Sequence, residues 1–220
     1  MITVFGEGRG FRVVWLLEEL GIEYKLRPVN LLTDLRADPE FLAINPGGFI
    51  PAIQDGDVVM VESIAIMQYL MAKHGPTPLA PEPRDPSFPY YQQFLHLGEA
   101  GLAVPWNTVL VGRNLAPEAE RDSWLVNWAL KTFKSRLGHV SRRLESSPYL
   151  AGETFTAADI SVTYALERAQ WHDLVTLGAT EQAYLSRTTE RDAYKRAMDA
   201  CHDTKAWVAE LASRGGARQR

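Results

Sequence analysis

The sequence predicts two parts of different class, a mixed α/β part in the order β-α-β-α-β-β-α and an all-helical bundle after it. Three observations carry this. The stretch His74 to Pro89, HGPTPLAPEPRDPSFP, holds six prolines and reads as a linker, because proline removes the backbone donor that a helix or an interior strand needs. Before it, short apolar runs alternate with segments of helical period. After it come long amphipathic segments and few strand signals. The boundaries fall at 1–75 for the α/β part, 76–88 for the linker and 89–220 for the helical part.

Ile2 to Phe5 is a short apolar run and predicts a buried strand. A helix follows from Gly10 to Leu20, with Val13, Val14, Leu17 and Leu20 on one face and Gly21 as a C′ stop. Glu23 to Val29 alternates and predicts a second strand, which Pro28 places at a sheet edge or near its own end. Pro39 to Ile44 is at most a short helix, ended by Asn45-Pro46-Gly47-Gly48. Pro51 to Gln54 and Val58 to Val61 flank Asp55-Gly56, a hairpin signal. Ser63 is expected to cap a helix whose Ile64, Met67, Leu70 and Met71 face inward.

In the helical part, Tyr90 to Val104 is one segment, expected to end near Pro105, and another starts at Pro117. Leu130, Phe133, Leu137, Val140 and Leu144 alternate spacings of three and four, the stripe of a packed bundle. Thr156-Ala157-Ala158-Asp159 is a capping-box signal that opens a further helix. Helix continues to about Ala212, and the arginine-containing tail from Ser213 reads as a frayed, solvated end.

With 220 residues, 46% hydrophobic and 23% charged, the composition is that of an ordinary globular protein. A net charge of −4 gives no electrostatic case for nucleic acid, and no apolar run is long enough to span a bilayer. One cysteine excludes a disulfide framework and fits a reducing compartment. The N-terminus lacks a basic region and a cleavage site, so the expected setting is the cytoplasm. The five histidines show no metal-ligand spacing and there is no CxxC pair, so no metal is expected. Cys201 falls on a stripe with Tyr194, Ala197 and Met198 and reads as a core thiol.

The opening stretch FGEGRGFRVVWLLEELG, Phe5 to Gly21, is glycine-rich but is not a phosphate loop. Its glycines make G-x-G-x-G, and Phe11-Arg12 stands where Lys-Ser or Lys-Thr is needed.

The segment from Asn45 to Ile66, NPGGFIPAIQDGDVVMVESIAI, resembles the glutathione-site segment of the cytosolic glutathione transferases, bacterial type, N-P-x-G-x-[VI]-P-A-L-x-D-G-x-x-x-x-E-S-x-A-I. Leu150 to Ser161, LAGETFTAADIS, resembles the family's capping box and hydrophobic staple in its sixth helix, and Arg12 to Gly21 resembles its first helix. The resemblance covers essentially the whole chain. It implies a thioredoxin-like N-terminal domain, an all-helical C-terminal domain, and a homodimer that uses glutathione as co-substrate with a small hydrophobic electrophile, without metal, nucleic acid or membrane. Detoxification is the role such an enzyme implies.

The resemblance also assigns roles. Pro51 suits a cis bond, and in the family that bond exposes the backbone of the preceding residue, here Ile50, to the cysteinyl part of glutathione, much like an added strand. Glu62 and Ser63 lie at a helix N-terminus, where free amides and the helix dipole favour the γ-glutamyl carboxylate, while Glu62 accepts from the ammonium. A bland reading, helix cap plus first-turn acid, is compatible with both roles. Glu99 is a candidate for reaching the partner's glutathione across the dimer axis, against a solvated or bundle-buried glutamate. Trp106, Asn107, Trp171 and His172 are candidates for lining the electrophile pocket, against ordinary core aromatics.

Two positions depart from the family. Phe49 stands where many members carry Lys, Gln or Arg. From Val4 to Val14 there is no hydroxyl and no thiol, where the family places the Tyr, Ser or Cys that contacts the glutathione sulfur. A free thiol has a pKa of roughly 8.5, and lowering it by about two units takes roughly 2.7 kcal/mol. A helix terminus supplies about 0.3–1 kcal/mol. A guanidinium nearby shifts a pKa by about 1–3 units and can supply the remainder. Arg9, with the backbone of Gly8 and Gly10, is therefore the candidate thiolate-stabilising group. Arg9 reads equally well as a surface residue or an interdomain salt bridge, and Arg12 as structural. The function expected is conjugation of the glutathione thiolate to an electrophile. The alternatives are glutathione-dependent disulfide or peroxide reduction, which the missing hydroxyl motivates, and a non-catalytic glutathione-binding or interaction module.

Overall fold

Four short strands and nine α-helices are found among the described residues, 1–31 and 38–202, of the computed structural model. The expected helix beyond residue 202, its end near Ala212 and the tail lie outside the described residues. By compactness, Met1–Lys73 group with the segment that starts at Arg191, and His74–Glu190 form the second unit.

In the first unit, β1 (Ile2–Phe5) leads through a 3₁₀ turn at Gly8–Gly10 into α1 (Phe11–Leu20). Then follow β2 (Tyr24–Arg27), α2 (Pro39–Ile44), β3 (Ala52–Asp55), β4 (Val58–Val61) and α3 (Ser63–Lys73). The sheet order is β2-β1-β3-β4, with β1 and β2 parallel and the other pairs antiparallel. This is the thioredoxin-like arrangement; β2 is an edge strand, and Pro28 falls just past its end. Gly21 stops α1 at φ 66°; the Ile22 N–H reaches Leu17 O at 3.0 Å and the Gly21 N–H reaches Glu18 O at 3.4 Å, the paired bonds of a Schellman end. The β3–β4 ladder runs to Asp55 opposite Val58, so the hairpin turn centres on Gly56 and Asp57, one residue later than the Asp55-Gly56 signal suggests. Val4, Val14, Leu17, Ile53, Ile66, Met67 and Leu70 are fully buried and form the core. Phe5, Val29, Phe41 and Ala52 make a satellite cluster that joins α2 to the sheet.

The last described helix, α9 (Asp192–Ala200), belongs to this unit although the chain reaches it last. Tyr194 packs edge-on to Trp15 and Phe11, with ring centroids 4.9 and 5.6 Å apart. Arg191 forks onto Glu19, 2.6 Å from each carboxylate oxygen, and Arg196 meets Glu18 at 2.6 Å. The sequence gives α9 no mark that distinguishes it from the helices before it.

The second unit holds α4 (Phe88–His96), a π-helical stretch Leu97–Ala103 and α5 (Val104–Leu115) in uninterrupted succession. The helix does not end near Pro105. The wider π turn ahead of that residue absorbs the missing N–H, so proline falls in a first-turn position of α5, where its donor is not needed. Nor does Pro117 start the next long helix. It precedes a 3₁₀ turn at Glu118–Glu120, and α6 begins at Trp124 and runs to Leu144. Then come α7 (Ala157–Trp171) and α8 (Ala179–Thr189). The capping box forms as read: Asp159 Oδ2 accepts from the Thr156 N–H at 2.8 Å, and Oδ1 accepts from the Leu150 N–H at 2.9 Å and from Tyr184 Oη at 3.0 Å. No described helix is long and apolar enough to cross a membrane.

Candidate functional site

Strand register gathers the motifs. Phe5 is opposite Ala52, and Ala52 is opposite Val61. The residues just beyond these positions are Gly6, Pro51 and Glu62, so three chain segments remote in sequence leave the sheet at one end. The Ile50–Pro51 bond there is cis. Asn45, buried, braces the loop before it by donating Nδ2 to Phe49 O at 2.6 Å and accepting from the Gly47 N–H at 3.0 Å. Phe49 is 42% exposed, and its ring makes no polar contact.

The opening glycines serve packing first. Gly6 has φ 82°, and a Cβ there would lie 2.3 Å from Ile50 Cγ2. A Cβ on Gly10 would lie 3.3 Å from Pro51 Cβ. The turn is glycine-rich because the Ile50-Pro51 segment lies against it. The Gly10 N–H donates to Glu7 O within the 3₁₀ turn, so of the two backbone groups named with Arg9, the amide of Gly10 is already engaged. Arg9 sits in that turn and is partly exposed, whereas Glu7 is buried.

At the start of α3, Glu62 has φ 68° and its carbonyl accepts from the Ile66 N–H at 2.9 Å. Glu62 is therefore the N-cap position and Ser63 the first helical residue, so the cap lies one place earlier than expected. The Ser63 hydroxyl is held instead by Arg12, whose Nη2 donates to Oγ at 2.7 Å; both residues are buried. The Glu62 side chain is exposed. An exposed carboxylate next to free helix-terminal amides can receive an ammonium and a carboxylate side by side.

In the second unit, Trp106 is buried and stacks on His172, with ring centroids 5.8 Å apart and an interplanar angle of 16°. Trp106 Nε1 has no hydrogen-bond partner among the described residues. Burial lowers the His172 pKa, and Arg168 adds to the effect, so the neutral ring is favoured. Trp171 is 41% exposed, and the Arg168 guanidinium lies over it at 4.2 Å. Asn107 and Glu99 are half-buried, and Glu99 lies in the π-helical stretch. A cavity of about 490 Å³ is bordered by Lys134, Leu137 and Asp173 to Thr176, and does not include Trp106 or His172.

Residues 10–73 match the glutathione S-transferase N-terminal domain model, and residues 116–210 match the C-terminal domain model. Glutathione S-transferase 3 of Schizosaccharomyces pombe is 30% identical over 175 residues, 74% of this chain and 71% of that one. The chain belongs to the glutathione S-transferase family. Probable glutathione S-transferase GSTF2 of Oryza sativa subsp. japonica is 30% identical over 92% of this chain and 86% of its own. Among solved structures, the theta class glutathione S-transferase of Xanthomonas axonopodis pv. citri, with glutathione bound, superposes with a TM-score of 0.73 at 28% identity. It covers 89% of this chain and 96% of its own.

Within this glutathione S-transferase, three site features escape sequence reasoning. Arg12 is one, since α1 buries every residue from Phe11 to Leu17 and leaves no polar face against which an inward charge would stand out. Asn45 lies inside the quoted motif, but its brace on Phe49 O depends on the loop's path. The seat of Ile50 against Gly6 is the third, and the G-x-G-x-G spacing was its visible signal.

Proposed function

We propose that this glutathione transferase anchors glutathione on its thioredoxin-like unit and directs the thiolate at a small hydrophobic electrophile. The γ-glutamyl carboxylate docks on Ser63 and the first amides of α3, the ammonium meets Glu62, and the cysteinyl backbone pairs with Ile50 ahead of Pro51. Arg9 and the backbone at Gly8 favour the thiolate, which then attacks carbon and displaces the leaving group. Trp106 and His172, with Trp171 and Asn107, line the electrophile's apolar surroundings. The enzyme works as a cytoplasmic homodimer, with Glu99 directed to the partner's glutathione.

One observation carries the reading. The Ile50-Pro51 segment and the Glu62-Ser63 helix start leave the sheet at the same end, set there by the Ala52–Val61 pair. Calorimetry with glutathione tests it. Binding in the micromolar to millimolar range is expected, weakened about tenfold by Ser63→Ala. Absence of binding at millimolar concentration overturns it.

A second reading keeps the site and changes the reaction. From Val4 to Val14 there is no hydroxyl or thiol to hold the sulfur, which suits disulfide or peroxide reduction through bound glutathione. Assaying an aryl halide beside a glutathionylated disulfide separates the two.

A further inference from the structure

The outer face of α6 is a surface that the proposed chemistry leaves unused. We infer that this face rests on an anionic membrane surface, with a pair of tryptophans entering the headgroup boundary and the cations beside them meeting lipid phosphates. The contact is peripheral, since no described helix is long and apolar enough to cross a membrane. It departs from the membrane-free expectation that the family resemblance carries.

The warrant is the pattern of one helix. α6 buries Val126, Ala129, Phe133 and Val140. At about 3.6 residues per turn, Trp124, Trp128, Lys131, Ser135 and Arg142 fall on the opposite side, within about 60° of one another. All five are exposed. Trp124 is 76% and Trp128 52% exposed, and their rings stack with centroids 6.1 Å apart. An indole has an apolar body and one N–H, which suits the boundary between hydrocarbon and headgroups. α6 carries five lysines and arginines and no acidic residue, on a chain whose net charge is −4. That sign complements anionic lipid. Glu118, Glu120 and Asp122, exposed in the turn ahead of α6, oppose it. Lys131 lies about 10 Å along the helix from Trp124, beyond a Debye length of about 8 Å at physiological salt, so the cations from Lys131 onward act with little interference from that turn. The stripe is the convex side of a single helix, a shape that a fluid lipid surface follows more readily than a folded partner does. A second copy laid on the same face by two-fold symmetry would bring cations against cations.

Vesicle sedimentation of the full chain tests this with two compositions, phosphatidylcholine alone and phosphatidylcholine with about one-third phosphatidylserine. Partition onto the anionic vesicles should be stronger by about tenfold or more at low salt, and the preference should collapse at about 0.5 M salt. Lys131→Glu with Lys134→Glu should weaken partition by about twentyfold or more, at about fivefold per cation. Trp124→Ser with Trp128→Ser should weaken it by about tenfold, and should remove the quenching of tryptophan fluorescence that brominated lipid produces in wild type. Both double variants should keep the wild-type melting temperature and glutathione affinity, because these side chains are exposed and lie outside the proposed site. Failure of glutathione to bind wild type would therefore bear on that site and not on this face. No binding to vesicles at millimolar lipid, equal binding to the two compositions, or binding that the four substitutions leave unchanged overturns the inference. So does a lighter sedimenting species in the tryptophan variant without lipid, which would give the face to a second copy.

Discussion

Arg9 and Gly6 show how much single positions in the opening turn are asked to do. If Arg9 supplies a large share of the thiolate preference, Arg9→Ala should raise the pKa of the bound thiol by about one unit or more, some 1.4 kcal/mol. Ultraviolet titration of enzyme-bound thiolate measures this, and Ser63→Ala should move it less while weakening binding more. An unchanged pKa in Arg9→Ala would assign thiol activation to other groups. Gly6 tests the packing side of the same turn. Its φ of 82° and the 2.3 Å approach of a Cβ to Ile50 leave no room for a side chain. Gly6→Ala should destabilise the unit by about 1–3 kcal/mol and weaken glutathione binding by displacing Ile50. A variant with wild-type melting temperature and affinity would show that the turn can yield.

At the scale of elements, two carboxylates hold helix starts. Asp38 caps α2 by accepting from the Phe41 N–H at 3.0 Å, and Arg27 forks onto it at 2.7 and 2.9 Å. The Arg27 hydrogen bonds hold its pKa below the ordinary aspartate value, aided by the Phe41 amide. With a depressed folded value, its stabilisation is fully present above the unfolded pKa near 3.9 and is lost as pH falls through the lower folded one. Asp38→Asn should therefore cost about 1 kcal/mol at neutral pH, and the difference from wild type should close in an acid titration below about pH 4. Asp159 differs because it is fully buried. Burial pushes its carboxyl up to about 6, against the pull of the Leu150 and Thr156 amides and the Tyr184 and Thr156 hydroxyls. Asp159→Ala leaves those buried donors unsatisfied and should cost about 2–4 kcal/mol by denaturant unfolding, well beyond an exposed cap.

For the whole molecule, the assignment of α9 to the first unit has a consequence for any shortened chain. Tyr194→Ala removes the ring packed on Trp15 and Phe11 and should destabilise the protein by about 3 kcal/mol. A chain ended at Glu190 loses that ring and both arginine ties to α1, and should aggregate or unfold at temperatures wild type tolerates. Wild-type melting of the shortened chain would show that the first unit does not depend on α9. Sedimentation tests the homodimer: a species of twice 24.6 kDa at micromolar concentration is expected, and a 24.6 kDa species contradicts it.

The sequence by itself determined the parts governed by local chemistry. The β-α-β-α-β-β-α order, the stop at Gly21, the capping box at Thr156 and the Glu62-Ser63 helix start follow from period, turn residues and caps, which act within a few neighbours along the chain. The Asn45 to Ile66 motif likewise made the proposed glutathione half of the site legible, because its parts lie within one hairpin and its flanks. Pro105 shows the limit of local rules: proline forbids an ordinary helical turn, but the backbone had a π turn available, and packing of the buried Gly98, Gly101, Leu102 and Ala103 selects it. Only the tertiary structure decided that Arg12 faces Ser63 across 51 positions, that Ile50 fills the space over Gly6, and that α9 closes over α1. These are contacts between segments far apart in sequence. Their energy depends on distance and burial, which no spacing along a single chain encodes.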